Sequence, residues 1–511
     1  MMHGGEKSDS AVVAGKPAKA AVAAATEPRE PRAGAEGNAG QADTHRTQGR
    51  ASVFPGLERV RTAARLKKEE RFTALLHHVD EALLRFAYQA LRRDAAAGVD
   101  GVTWREYGGE GLEQRLMILK DRLHRGAFRA LPSRRVFIPK PDGRQRPLGI
   151  AALEDKIVQR AVVEVLNAIW EEDFLGFSYG FRPGRGPHDG LDALYVGITR
   201  RPVNWVVDAD IAAFFDTVRH DWLIRFVERR VGDPRVLRLI RKWLKAGVME
   251  DGVVRVGTTG TPQGAVISPL LANIYLHCVF DLWAHRWRCR EAQGAVILVR
   301  YADDIVAGFE HRADAERFMA GMRGRLGAFG LKLQPDKTRL VEFGRHAAEA
   351  RRRRGLGKPE TFDFLGFTHI CGVTRKGRFS LHRKTRRDRL RAKLREVKET
   401  LRRRLHEPIE AQGAWLRQVV RGFFAYHAVP NNIQALGAFR RHVGRLWGRS
   451  LRRRSQKDGT RWSTITKLVG HWLPKPHIIH PWPDRRFAAN HPRWEPGAGM
   501  PHAGFCAGDA Q

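Results

Sequence analysis

Cysteine is scarce in this chain of 511 residues: Cys278, Cys289, Cys371 and Cys506 lie far apart, and no C-x-x-C pair occurs. Neither a disulfide framework nor a zinc knuckle is supported, and a reducing, cytoplasmic setting is expected. Long apolar runs are missing too. None reaches the length of a spanning helix, so no membrane insertion is expected. The opening Met1-Met2-His3-Gly4-Gly5-Glu6-Lys7 lacks the charged-then-apolar layout of a signal peptide, and there is no internal repeat. Acidic residues are few beside the basic ones: 55 Asp and Glu against 91 Lys and Arg, a formal charge of +36. An excess this large destabilises a compact chain by self-repulsion unless a polyanion neutralises it. Nucleic acid is the partner this predicts, because each neutralised phosphate releases counterions. An anionic membrane surface or a merely soluble basic protein would show the same imbalance.

What is present is enough for a core and for more than one domain, with 42% apolar residues. Residues 1–50 are Ala, Gly, Glu, Pro and Lys without apolar period, and are expected to be disordered. Apolar periodicity begins near Phe54 and reads as helical around Phe72 to Leu91. Short strands broken by Pro and Gly follow between Pro132 and Ile150. Helical and strand-like segments then alternate to about Phe367, the pattern of an α+β fold. After Arg383 the chain turns Arg-rich and helical. Leu390, Leu394, Val397, Leu401 and Leu405 form one apolar stripe at spacings of three and four. Further helices are expected around Trp415 to Tyr426 and Phe439 to Leu451. From Pro474 the sequence reads as an extended basic tail.

Two segments carry the chemistry. In Val299-Arg300-Tyr301-Ala302-Asp303-Asp304-Ile305-Val306 an acidic pair falls between apolar, β-prone runs, which places it at the tip of a β-hairpin. Most D-D pairs are solvated turn residues; ionised groups between apolar strands need a partner or a metal. Trp205-Val206-Val207-Asp208-Ala209-Asp210-Ile211 reads as a neighbouring strand with Asp208 and Asp210 on one face, and Phe214-Phe215-Asp216 begins a turn into a helix. On these grounds Asp208, Asp210 and Asp216 are all candidate partners. Converging carboxylates suit hard, oxygen-loving Mg²⁺.

These segments resemble motifs A and C of reverse transcriptases, with Tyr301-Ala302-Asp303-Asp304 matching the Y-x-D-D signature. The resemblance implies a right-hand polymerase with fingers and palm built on antiparallel sheet. It assigns Asp210, Asp303 and Asp304 to catalysis by two Mg²⁺ ions, with Ile211 counted at the metal site. It makes Asp216 structural and Asp208 peripheral. Phe215 becomes a steric gate favouring deoxynucleotides; an ordinary core aromatic is the alternative.

Further matches narrow the likeness to group II intron-encoded enzymes of the endonuclease-less bacterial type. Arg134-Arg135-Val136-Phe137-Ile138-Pro139-Lys140 and Arg146-Pro147-Leu148-Gly149-Ile150 resemble their fingers, which implies that Lys140 and Arg146 grip the triphosphate and Arg134 covers the base. Gly98–Thr103 resembles the family's extra N-terminal motif, and Phe177–Pro183 its insertion between the second and third motifs. Thr261-Pro262-Gln263-Gly264 with Ser268–Asn273 matches motif B, Gln263 facing the nucleotide. Gly330–Leu333 with Lys337-Thr338 matches motif D, and Lys337 is a candidate general acid. Phe364-Leu365-Gly366-Phe367 is like the primer-grip strand. Arg421–Tyr426 and Leu451–Gln456 resemble the thumb and maturase domain X, which implies RNA contacts by Arg421, Arg452, Arg453 and Arg454.

The domains expected on this basis are a disordered 1–50, an N-terminal extension and start of fingers at 51–130, fingers and palm at 131–385, thumb and domain X at 386–470, and a tail at 471–511. Two departures stand out. Ala212 replaces the usual polar residue. The tail lacks the Cys and His pattern of an H-N-H endonuclease, and His477, His480, His491, His502 and Cys506 match no metal motif. The implied partners are group II intron RNA, an RNA template with DNA primer, target DNA and deoxynucleotides, the primer coming from elsewhere. A splicing factor with dispensable polymerase, or a reverse transcriptase repurposed for phage defence or CRISPR adaptation, are the competing roles.

Overall fold

In the computed structural model, residues 54–139, 145–250, 253–261, 264–374, 376–454 and 461–490 are described. Lys140, Gln263, residues 1–50, His491, His502 and Cys506 lie outside them.

The fold is mixed α and β, with three small sheets among the described residues. In the first, β1 (Ser133–Pro139) and β2 (Gln145–Ile150) form a hairpin, and β4 (Val248–Glu250) and β5 (Val253–Arg255) extend it. The β1–β4 junction is parallel, so this sheet is not wholly antiparallel as expected. In the second, β3 (Trp205–Asp210) lies between β7 (Asp304–Phe309) and β8 (Arg339–Glu342), with β6 (Val296–Tyr301) beyond β7, all antiparallel. Strand β3 alternates as its sequence demands: Val207 and Ala209 are buried, while Asp208 and Asp210 emerge on the other face. The third sheet joins β9 (Phe362–Phe364), β10 (Phe367–Val373) and β11 (Phe379–Thr385).

Three cores hold these elements. The largest runs from Val60 to Leu331, so the helices before β1 share it with the Leu153–Asp173 helix and one face of β3. The second fills the opposite side of that sheet, between the Pro187–Arg200 helix and β9–β11. A third is formed by the C-terminal helices Arg387–Arg403, Ile409–His427, Ile433–Leu451 and Trp462–Trp472 and the residues that follow them, from Val397 to Leu473. No helix among the described residues is long and apolar enough to cross a membrane.

The structure corrects three expectations. The helix anticipated from Phe72 begins at Glu81, because the Asp80 carboxylate caps Leu83 N–H at 2.8 Å while Phe72 bridges to Val231. Phe364–Phe367 is not one continuous strand: Phe364 ends β9 and Phe367 opens β10, with Leu365 and Gly366 turning between them at φ of 47° and 79°, and Tyr426 Oη donates to the Leu365 carbonyl at 2.8 Å. Nor is the segment after Pro474 simply extended. It contains a helix, Pro483–Asn490, which buries Phe487 in the second core.

Candidate active site

Strands β6 and β7 pair with Tyr301 opposite Asp304, leaving Ala302 and Asp303 as a two-residue loop. Across the sheet Asp210 is the register partner of Asp304. The alternation that buries Val207 and Ala209 therefore delivers Asp210 beside the hairpin tip. This brings together the three carboxylates singled out from sequence. Asp208 stands two residues back on the same face, against Arg339 at 3.4 Å.

The cluster is short of positive charge. Burial, then the charges of Asp303, Asp210 and Asp208, push the Asp304 carboxyl up to about 8, with Lys337 pulling the other way. Asp304 keeps open surface, so the crowding of carboxylates is the stronger cause of that rise. Asp208 is likewise raised to about 6, by burial and then against the pull of Arg339. Lys337 Nζ donates to Asp210 Oδ2 at 2.5 Å. Its loop is tied to the motif A strand end, where Gln334 N–H donates to the Asp210 carbonyl and Ala212 N–H to the Lys332 carbonyl, both at 2.8 Å. Among the described residues no group of three His, Cys, Asp or Glu side chains converges tightly enough to hold a metal as placed. Two cations lie against these carboxylates, Lys337 on Asp210 and Arg339 on Asp208. The donor set, oxygen-only and anionic, fits Mg²⁺.

Phe214 and Phe215 differ in burial. Phe214 enters the core, 2% exposed. Phe215 stays half-buried, in edge contact with Phe214 at 5.4 Å and Phe181 at 6.5 Å. Its carbonyl accepts from Thr261 N–H at 2.7 Å, which ties the motif B loop to this turn. Gly264, at φ 111°, lies so close to the Gly149 carbonyl that a Cβ there would approach it to 2.8 Å. Arg134, exposed on β1, donates to the Ala97 carbonyl at 2.7 and 3.2 Å, while Arg146 is opposite Ile138 on β2. The 98–103 motif has a structural task of its own, since Asp100 Oδ2 accepts from Leu153 N–H at the start of the Leu153–Asp173 helix, 3.0 Å away.

The arginines assigned to RNA are not equivalent. Arg421 and Arg453 are exposed. Arg452 stacks over Trp462 at 4.6 Å, and Arg454 donates to the Glu407 carbonyl. Sequence reading missed Arg300, Asp281, Asn273 and Ser178, a buried set beneath the hairpin. Its only signal was an arginine inside an apolar strand, where a charge must find a partner.

The family profile described as reverse transcriptase (RNA-dependent DNA polymerase) matches residues 138–369. The chain is 39% identical over 274 residues to the YkfC protein of Escherichia coli K12, covering 48% of this chain and 71% of that protein. It is 36% identical over 228 residues to the group II intron-encoded protein LtrA of Lactococcus lactis, covering 43% of this chain and 37% of LtrA. An uncharacterized 91 kDa protein in the cob intron of Schizosaccharomyces pombe is 42% identical over 150 residues, 29% of this chain and 18% of that protein. The chain thus spans well under half of the latter two relatives.

Proposed function

The chain belongs to the reverse transcriptase (RNA-dependent DNA polymerase) family, and from that premise we propose that it extends a DNA primer on an RNA template at Asp210, Asp303 and Asp304, in the service of a group II intron. The observation that carries this reading is the register of β3 against β7, which sets Asp210 opposite Asp304 at a hairpin tip that also presents Asp303. These three carboxylates would hold two Mg²⁺ ions. When bound, the ions activate the primer 3′ hydroxyl and stabilise the leaving pyrophosphate. Lys337, now on Asp210, would release that carboxylate and supply a proton to the departing pyrophosphate. Phe215 would sit beneath the incoming sugar and leave no room for a 2′ hydroxyl. Arg134, with Lys140 and Arg146, would hold the nucleotide, and Gln263 would face it.

In this reading the sheets β1–β8 are fingers and palm, and the helices after Arg386 are thumb and domain X. The intron role is supported by that separate C-terminal core with its exposed arginines, because folded RNA is recognised largely through phosphate and 2′-hydroxyl contacts. The LtrA name adds weight, since that relative is intron-encoded.

The test is extension of oligo(dT) on poly(rA) with Mg²⁺. Asp303→Asn should lower the rate at least about a thousandfold, the scale of charge stabilisation a metal supplies. Extension at the wild-type rate would overturn the assignment. Binding of the parent intron RNA should survive the same change.

A further inference from the structure

Arg300 immediately precedes the Tyr301–Asp304 signature and is fully buried. A guanidinium has five N–H donors in a fixed plane, and here all five have acceptors. Nε and Nη2 grip Asp281 Oδ1 and Oδ2 at 2.7 and 2.6 Å. The second Nη2 proton reaches Ser178 Oγ at 2.7 Å. Nη1 donates to Asn273 Oδ1 and to the Ala302 carbonyl, each at 3.0 Å. That carbonyl belongs to the hairpin loop itself, two residues from the guanidinium's own backbone.

The other side of the loop is also held. Asn273 Nδ2 donates to the Gly180 carbonyl at 2.7 Å, and Gly180 lies against the loop so closely that a Cβ on it would come within 2.3 Å of Ala302 N. Strand β6 is pinned to the same segment, Tyr179 N–H donating to the Arg300 carbonyl and Arg300 N–H to the Phe177 carbonyl, both at 2.8 Å. Ala302 needs such support, because its φ of 54° is one that residues with a Cβ rarely adopt.

The helix that supplies the acceptors is built for this meeting. Asn273 and Asp281 are eight residues apart, which in a regular α-helix leaves them roughly 80° out of line. A π turn over His277–Asp281 absorbs about one residue and turns both toward one guanidinium. A buried ion pair stabilises a core no better than apolar side chains of the same volume. What this one provides is a fixed direction for a backbone carbonyl.

We propose that Arg300 is a positioning residue for the polymerase reaction, its buried bonds to Asp281, Asn273 and Ser178 fixing the Ala302 loop so that Asp303 and Asp304 meet Asp210 in a geometry that binds divalent ions. This rests on reading those three carboxylates as the metal site. Arg300 is enclosed by its partners and acts through the loop they hold. Its loss acts on how well the ions are held and on the chemical step, while dNTP and primer–template binding are left nearly unchanged.

The experiment measures kcat, dNTP KM, half-saturating Mg²⁺, primer–template affinity and thermal melting for the full chain carrying Arg300→Lys, Asp281→Asn, Ser178→Ala or Gly180→Ala. Arg300→Lys and Asp281→Asn are expected to lower kcat at least about tenfold, because small misplacements of reacting groups are costly. They should raise half-saturating Mg²⁺ severalfold and leave dNTP KM and primer–template affinity within about twofold. Should either variant fail to fold, Ser178→Ala removes a single hydroxyl and Gly180→Ala pushes on Ala302 N from outside the ion pair; both should shift kcat and Mg²⁺ demand in the same direction. Folded variants with wild-type kcat and Mg²⁺ demand overturn the proposal while the assignment of the site stands. A wild-type chain that extends no primer, or an Asp303→Asn chain that extends normally, removes the assignment instead.

Discussion

Phe215 and Asp155 are the residues whose surroundings give the clearest predictions. Phe215 makes edge contacts with Phe214 and Phe181, which restrict the ring on two sides. With Phe215→Val the preference for deoxynucleotides over ribonucleotides should fall by about 10–200-fold, the range a steric contact of this size provides. Competing kcat/KM values for dTTP and UTP check it, and an unchanged ratio would place the ring away from the sugar. Asp155 is 2% exposed and accepts from Leu131 N–H at 3.1 Å and Trp243 Nε1 at 2.9 Å. Burial pushes its carboxyl up to about 6 despite both bonds. Between the ordinary carboxylate range and that value, the folded protein keeps a proton the unfolded chain has released. Stability from this group therefore falls as pH rises from about 4 to 6, by on the order of 3 kcal/mol. Asp155→Asn has no such titration. The stability of the wild type relative to this variant, from urea midpoints, should decline across that window; a constant difference would show that Asp155 is ionised throughout.

Among the elements, the helix Pro483–Asn490 depends on one carboxylate. Asp192, 1% exposed, accepts from Arg383 at 3.2 Å and from Arg486, whose Nη1 contacts His480 Nδ1 at 2.9 Å. Arg200 and Asp484 add an exposed pair at 3.1 Å, which contributes little. Asp192→Asn would leave Arg383 buried without its counter-charge and should destabilise the protein by about 3–5 kcal/mol. Limited proteolysis should then cut near residue 483 in the variant first; equal resistance would show that Phe487 alone docks the helix. This element was illegible in the sequence. Its buried ionic attachment comes from Asp192, 294 residues before Arg486, and Pro481 and Pro483 hide any local period. By contrast β3, β6 and β7 were legible, because alternating burial is written in Val206–Asp210 and apolar runs flank Asp303. The end of β9 was not, since Leu365 takes a positive φ under a tertiary bond from Tyr426 rather than from its own preference. The same limit hid the Arg300 partners: the charge inside β6 was visible, but not which acidic residue would meet it.

At the scale of the whole molecule, the charge is +36, and the described residues form three cores, the third assembled from the C-terminal helical region. That separation lets RNA binding and polymerisation be tested apart. Arg421 and Arg453 are exposed, whereas the Arg454 guanidinium is committed to the Glu407 carbonyl. Removing an exposed phosphate contact lowers the dependence of binding on salt, by roughly 0.7–0.9 in the slope of log K against log salt concentration. Arg421→Ala and Arg453→Ala should each lower that slope for intron RNA by about this amount, with thermal melting and oligo(dT) extension on poly(rA) unchanged. Arg454→Ala should lower the melting temperature as well, because it strips a carbonyl of its donor. If Arg421→Ala and Arg453→Ala leave the intron RNA slope intact but weaken primer extension, the helical region serves as a thumb for the primer–template duplex and the splicing role falls.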